Sequence, residues 1–156
     1  MLLAAVALLA ATCPVERAHY ALRTMPGVTA RFVRVPVVDP DWSEGIALRM
    51  DFAATGRRYW WLPWNGGTDG LQHLASTPDP ATKGWRPTLA RPLGDVDLVA
   101  TDMRYTVWER VPHRGETAPA HFFIENLGEA MWYRTPGDRR EATAKQFFDL
   151  VRCDRR

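Results

Sequence analysis

The chain is short of cysteine and serine, has no block of one charge, and lacks any apolar run long enough to cross a membrane. Cys13 and Cys153 are its only cysteines, which leaves one disulfide or two free thiols. Ser43 and Ser76 are its only serines. Neither stands in Gly-x-Ser-x-Gly, which argues against a serine hydrolase. The histidines are His19, His73, His113 and His121. None is spaced His-x-x-x-His or His-x-His, so no metal ligand set is written locally and no cofactor is expected. Charges of both signs are spread along the chain to a net +2. Without a basic block, nucleic acid is not an expected partner. No internal repeat or low-complexity segment is present. These absences leave no specific activity named.

What is present starts with residues 1–12, MLLAAVALLAAT, uncharged in their side chains and almost wholly Leu, Ala and Val. A membrane span needs about 20 apolar residues, so the stretch is too short for one. It reads instead as a signal peptide, with Ala10 and Thr12 at the small positions ahead of the cut. Ala10 and Thr12 fit a lipoprotein cleavage box poorly. Cys13 is therefore expected to pair with Cys153, a linkage that persists in an oxidising compartment. The expected location is periplasmic or secreted, with no transmembrane span. Residues 13–156 then read as a single β-rich globular domain.

Within that domain, residues 46–52 alternate cleanly. Ile46, Leu48, Met50 and Phe52 share one face, and Ala47, Arg49 and Asp51 the other. Thr55-Gly56 supplies a turn, and 58–64 returns as the second arm of a hairpin. Both faces of that arm are apolar: Tyr59, Trp61 and Pro63 against Trp60, Leu62 and Trp64. Residues 19–23 and 28–38 read as earlier strands, with Pro36 marking an edge or bend. Residues 65–94 show no sustained period beyond a possible helical turn near 71–76, and long loops of this kind tend to carry function. Residues 96–111 read as a long strand or a bent pair, with a bulge near 99–101 reconciling its two halves. Residues 120–125 and 130–134 read as a second hairpin. Thr135-Pro136-Gly137-Asp138 resembles a helix start. Ala144, Phe147, Phe148 and Val151 then fall at helical spacing. The expected fold is mainly β: an antiparallel sheet curled into a sandwich or partial barrel, with a C-terminal amphipathic helix packed on it.

The most unusual local sequence is Tyr59-Trp60-Trp61-Leu62-Pro63-Trp64-Asn65, followed by Gly66-Gly67-Thr68-Asp69-Gly70. Clustered indoles make a platform for apolar rings and cations. The glycines do not form a phosphate loop, because no Lys-Ser/Thr pair follows them. Trp60, Trp61, Trp64 and Asn65 are thus the ligand-binding candidates, for a small molecule or a protein partner. A non-catalytic exported binding domain is the first expectation. The alternatives are a hydrolase gathering Asp69, His73 and His121, or a purely structural envelope-associated domain. Asp95 and Asp97 share a strand face and are more simply read as a solvated pair.

Overall fold

A computed structural model of the chain describes residues 13–36, 45–66, 71–88 and 90–155. The signal peptide expected at 1–12 lies outside them. Eight antiparallel strands form a closed barrel in which each strand pairs with the next and the last pairs with the first. They are β1 (Ala18–Leu22), β2 (Met25–Arg34), β3 (Ile46–Phe52), β4 (Arg57–Gly66), β5 (Leu71–Thr77), β6 (Asp95–Thr101), β7 (His121–Ile124) and β8 (Phe148–Cys153). One helix, α1 (Leu127–Tyr133), sits between β7 and β8. Closure gives every strand two partners and leaves no open edge.

Alternation sets the inside and the outside. Ile46, Leu48, Met50 and Phe52 are buried in one cluster with Tyr20, Phe32, Trp61, Leu74, Leu98, Phe122 and Phe148. An eight-stranded barrel is just wide enough for such side chains to fill. Phe122 stacks on Phe148 at 4.8 Å, and Tyr20 meets Phe122 edge-on at 4.8 Å. The Tyr20 hydroxyl donates to the Pro119 carbonyl at 2.9 Å. Full burial pushes its phenol pKa well above the ordinary value. Outward positions include His19, Arg31, Arg49, Asp51, His73, Asp97 and Asp149. The wall is therefore apolar within and charged without.

The two ends are plugged differently. Leu127, Ala130 and Met131 of α1 enter the core at one end, and Val15, Val111 and Ala118 do so at the other. A smaller cluster forms outside the wall. Val35, Ala47, Leu62, Ala75 and Trp85 are buried together there, with Trp60 and Trp64 packed against them. Trp85 belongs to the connection between β5 and β6, which folds back over β4 and β5. Its indole N–H donates to Thr77 Oγ1 at 2.8 Å. This second layer explains why β4 is apolar on both faces.

The cysteines are joined: Cys13 and Cys153 form a disulfide across a sequence separation of 140. Cys153 is the last residue of β8 and pairs with Ala18 at the start of β1. The bond therefore lies beside the seam that closes the barrel.

Four expectations are corrected. The C-terminal segment is not an amphipathic helix. Residues 148–153 are strand β8, with Phe148 and Leu150 inward, and only Gly137–Arg139 makes a short 3-10 turn. Two unpaired strand neighbours, β1 and β7, outweigh a helical spacing that the same residues also satisfy. Residues 130–134 are no hairpin arm, since Leu127–Tyr133 is helical with its apolar residues at i, i+3 and i+4. Leu71–Thr77 is a strand, hidden in the sequence by its polar residues. Finally, β6 runs to Thr101 without the expected bulge. The chain then turns tightly at Asp102, whose carboxylate accepts the Arg104 and Thr106 N–H groups at 2.7 and 2.9 Å.

Replacing both cysteines by serine should lower unfolding free energy by up to about 5 kcal/mol, the chain-entropy limit for a loop this long. Urea denaturation of the double variant checks it. Trp61→Ala should cost about 3–5 kcal/mol by leaving a core cavity. Trp61→Phe should cost less, because the indole N–H has no hydrogen-bond partner to lose.

Candidate functional site

A cleft of about 380 Å³ opens at the barrel end that α1 plugs. Three separate stretches of chain make it. The first is the start of β4, which follows a turn closed by the Gly56 N–H on the Phe52 carbonyl at 2.8 Å. That turn delivers Arg58, Tyr59 and Trp60 to the rim. The second is the end of β5 and its continuation. Thr77 pairs with Trp60 across the sheet, and Pro78, Asp79, Pro92 and Leu93 extend the wall. The Leu93 N–H donates to Ser76 Oγ at 2.8 Å, and the Ser76 N–H donates to the Gly94 carbonyl at 2.9 Å. These bonds hold the connection against the strand it left. The third stretch leaves α1 and brings Arg134, Thr135, Pro136 and Arg139.

Buried polar contacts fix this geometry. Glu141 is buried and accepts from Thr55 Oγ1 at 2.7 Å, from Arg57 at 3.4 Å and from the Tyr59 hydroxyl at 3.3 Å. The β3–β4 turn is thereby tied to the segment after α1. Burial, then the charge of Glu141, raises the Tyr59 phenol pKa above its ordinary value. Arg134 donates from Nη1 to the carbonyls of Leu93 and Asp95 at 2.9 and 3.0 Å. Gly94 is needed for that approach: its φ is 68°, and a Cβ there would lie 2.8 Å from Arg134 Nη1.

Electrostatically the cleft is cationic. Arg58, Arg134 and Arg139 line it against one carboxylate, Asp79. Asp79 is engaged in its own turn, accepting the Ala81 N–H at 2.9 Å. Arg58 is partly offset by Asp51 at 3.0 Å. Burial would raise the Asp51 pKa, yet hydrogen bonds from Arg49 and Arg58 outweigh it and the carboxyl sits below its ordinary value.

Of the residues singled out by sequence, Trp60 lines the cleft. Trp61 points into the barrel and is fully buried. Trp64 lies on the outer wall, its ring 4.6 Å from that of His73. Gly66 makes room for it, since a Cβ there would sit 2.0 Å from the Trp64 ring. Asn65 Oδ1 accepts the Val111 N–H at 2.9 Å, a bond that ties β4 to the segment plugging the far end. Asp69 lies outside the described residues.

The two histidines are not brought together. His73 pairs with Asp97 at 2.9 Å and His121 with Asp149 at 2.7 Å. Across β6 they face Asp97 and Thr101, which at a rise of about 3.3 Å per residue are roughly 13 Å apart. Among the described residues no group of three or more His, Cys, Asp or Glu could hold a metal.

Two arrangements were not foreseen. One is the arginine set of the cleft. Its only trace is Arg57-Arg58 beside the aromatic run and Arg134 and Arg139 around a Thr-Pro-Gly turn, and charged residues in turns are common. The other surrounds Asp149. Arg23 donates to both its oxygens at 2.8 and 2.9 Å, and to the Tyr105 hydroxyl at 2.7 Å. Tyr105 stacks on His121 at 4.5 Å and has a φ of 62°, the only non-glycine described with positive φ. Comparison with protein-family models, curated proteins and solved structures finds no match.

Burial would raise the Asp149 pKa, but the Arg23 and His121 hydrogen bonds prevail and lower it. A lowered folded-state pKa stabilises above the unfolded value, and that contribution is lost as pH falls through the folded one. Wild type should therefore lose stability below about pH 4, and the gap between wild type and Asp149→Asn should narrow from pH 7 to pH 3. Urea midpoints at the two pH values check it.

Proposed function

We propose that this is an exported, non-catalytic domain that holds a small ligand in the cleft at the α1 end of the barrel. One observation carries the reading: the aromatic start of β4, the connection after β5 and the sequence-distant segment after α1 converge on one concave surface. Trp60 supplies an apolar ring face there, with Pro78, Pro92 and Leu93 beside it. Apolar pockets with a few fixed polar groups are the usual form of a small-molecule site.

The disulfide supports export, because such bonds persist in oxidising compartments, and the apolar leader agrees with it. The charged outer wall and apolar interior suit a barrel surrounded by water, the reverse of the arrangement that faces lipid. A binding role is favoured over hydrolysis by how the histidines are used. His73 and His121 each hydrogen-bond a cross-strand carboxylate on the outer wall, and neither borders the cleft.

Trp60→Ala should leave the barrel folded, with a melting temperature reduced but above that of Trp61→Ala, because the ring packs on the outer cluster and not in the barrel core. It should also abolish the perturbation of cleft amide resonances that a mixture of small aromatic probes produces in the wild type. If Trp60→Ala destabilises the chain as much as Trp61→Ala does, the ring is structural and the reading loses its support.

A further inference from the structure

The arginines of the cleft identify the class of ligand it would take. Arg58 is shared with Asp51, but Arg134 and Arg139 make no ion pair with a carboxylate among the described residues. Arg134 is held by two backbone carbonyls through Nη1, which steadies the guanidinium and leaves Nε and Nη2 for another acceptor. Arg139 contributes its backbone carbonyl to the Tyr59 hydroxyl at 3.3 Å, so its position at the rim is set while its side chain is uncommitted. Trp60 and Pro92 line the same cleft, and Leu93 lies beside Arg134, which its carbonyl holds. Two guanidiniums without an ion-pair partner and an indole in one cleft match a molecule with an anionic head and a flat apolar body.

We propose that the cleft binds a small aromatic anion, its carboxylate or phosphate held by Arg134 and Arg139 and its ring laid against Trp60. The inference rests on the reading of this cleft as a binding site. A guanidinium fork matches the two oxygens of a carboxylate or phosphate, and such charge-assisted bonds are roughly twice as strong as neutral ones. A cleft of about 380 Å³ accepts a two-ring molecule with its head group. Tyr59 lines the cleft with its hydroxyl hydrogen-bonded to Glu141 at 3.3 Å.

The test is a titration of isotope-labelled full-length mature protein with four probes: 2-naphthoate, 2-naphthyl phosphate, 2-naphthamide and inorganic phosphate. The amide resonances of Thr77, Leu93 and Thr135 report on the cleft, and the rest of the spectrum reports on folding. Either naphthyl anion should bind at least about tenfold tighter than the neutral amide, as a charge-assisted pair requires. Which anion binds tighter decides between carboxylate and phosphate. Inorganic phosphate alone should bind far more weakly than naphthyl phosphate; equal binding overturns the aromatic half of the proposal. Arg139→Ala breaks no side-chain hydrogen bond among the described residues. It should weaken the anions about fivefold to tenfold and leave 2-naphthamide unchanged. Arg134→Gln should act in the same direction, with Arg139→Ala guarding against disturbance of the carbonyls that Arg134 holds. Should 2-naphthamide match 2-naphthoate, with Arg139→Ala indifferent, the anion proposal is overturned while the cleft remains a binding site. If no probe moves the cleft resonances, both fall.

Discussion

Closure of the barrel between β1 and β8 is the constraint on which the other features depend. An antiparallel meander of eight strands has two free edges until its ends meet, and the inward residues form one core only once they do. The wall near the seam is thin: β7 has four residues and meets β8 at two register pairs, His121 with Asp149 and Phe122 with Phe148. Two devices reinforce it. Inside the seam's end, the Cys13–Cys153 bond ties the segment before β1 to the end of β8. Outside, Asp149 gathers Arg23 from just past β1 and His121 from β7, so one carboxylate spans three neighbouring strands. Tyr105, in a backbone conformation that costs a non-glycine residue of order 1 kcal/mol or more, places its ring over His121 and its hydroxyl on Arg23. The strained turn after β6 thus completes the outer face of the seam.

With the wall closed, the doubly apolar β4 becomes the element that organises the surface. Its inward face, with Trp61, is core. Its outward face must be covered, and the connection from β5 to β6 covers it with Trp85. That connection has to return to the barrel end before β6 begins, which carries Pro92 and Leu93 alongside Trp60. The segment leaving α1 must cross the same end to reach β8, which carries Arg134 and Arg139 to the opposite side. The cleft is therefore the gap between two connections at one end of the barrel, both longer than adjacent antiparallel strands need. Arg134 is held there by two backbone carbonyls rather than by a carboxylate, and this helps keep the cleft cationic.

Much of this was legible in the chain. The hairpin of β3 and β4 follows from strict alternation and a Thr-Gly turn, both local properties. The cysteine pairing follows from having only two thiols behind an apolar leader. What failed did so for lack of partners in view. Phe147, Phe148 and Val151 satisfy a helical period, and Phe148 and Leu150 also satisfy a strand period; only the vacancy between β1 and β7 chooses. Leu71–Thr77 carries Gln72, His73, Ser76 and Thr77, whose polar groups are met by Trp108, Asp97, Leu93 and Trp85 from elsewhere in the chain. No local pattern reveals such partners.

The sequence by itself determined that the chain is β-rich, where its best hairpin turns, and that it can form at most one internal disulfide. These rest on period, turn chemistry and thiol count, which neighbours along the chain settle. Only the tertiary structure decided which tryptophan of the hairpin borders the cleft, that the histidines serve the wall, and that arginines of β4 and of the segment after α1 share one cleft. Those are facts about residues far apart in sequence, and they exist only once the barrel has closed.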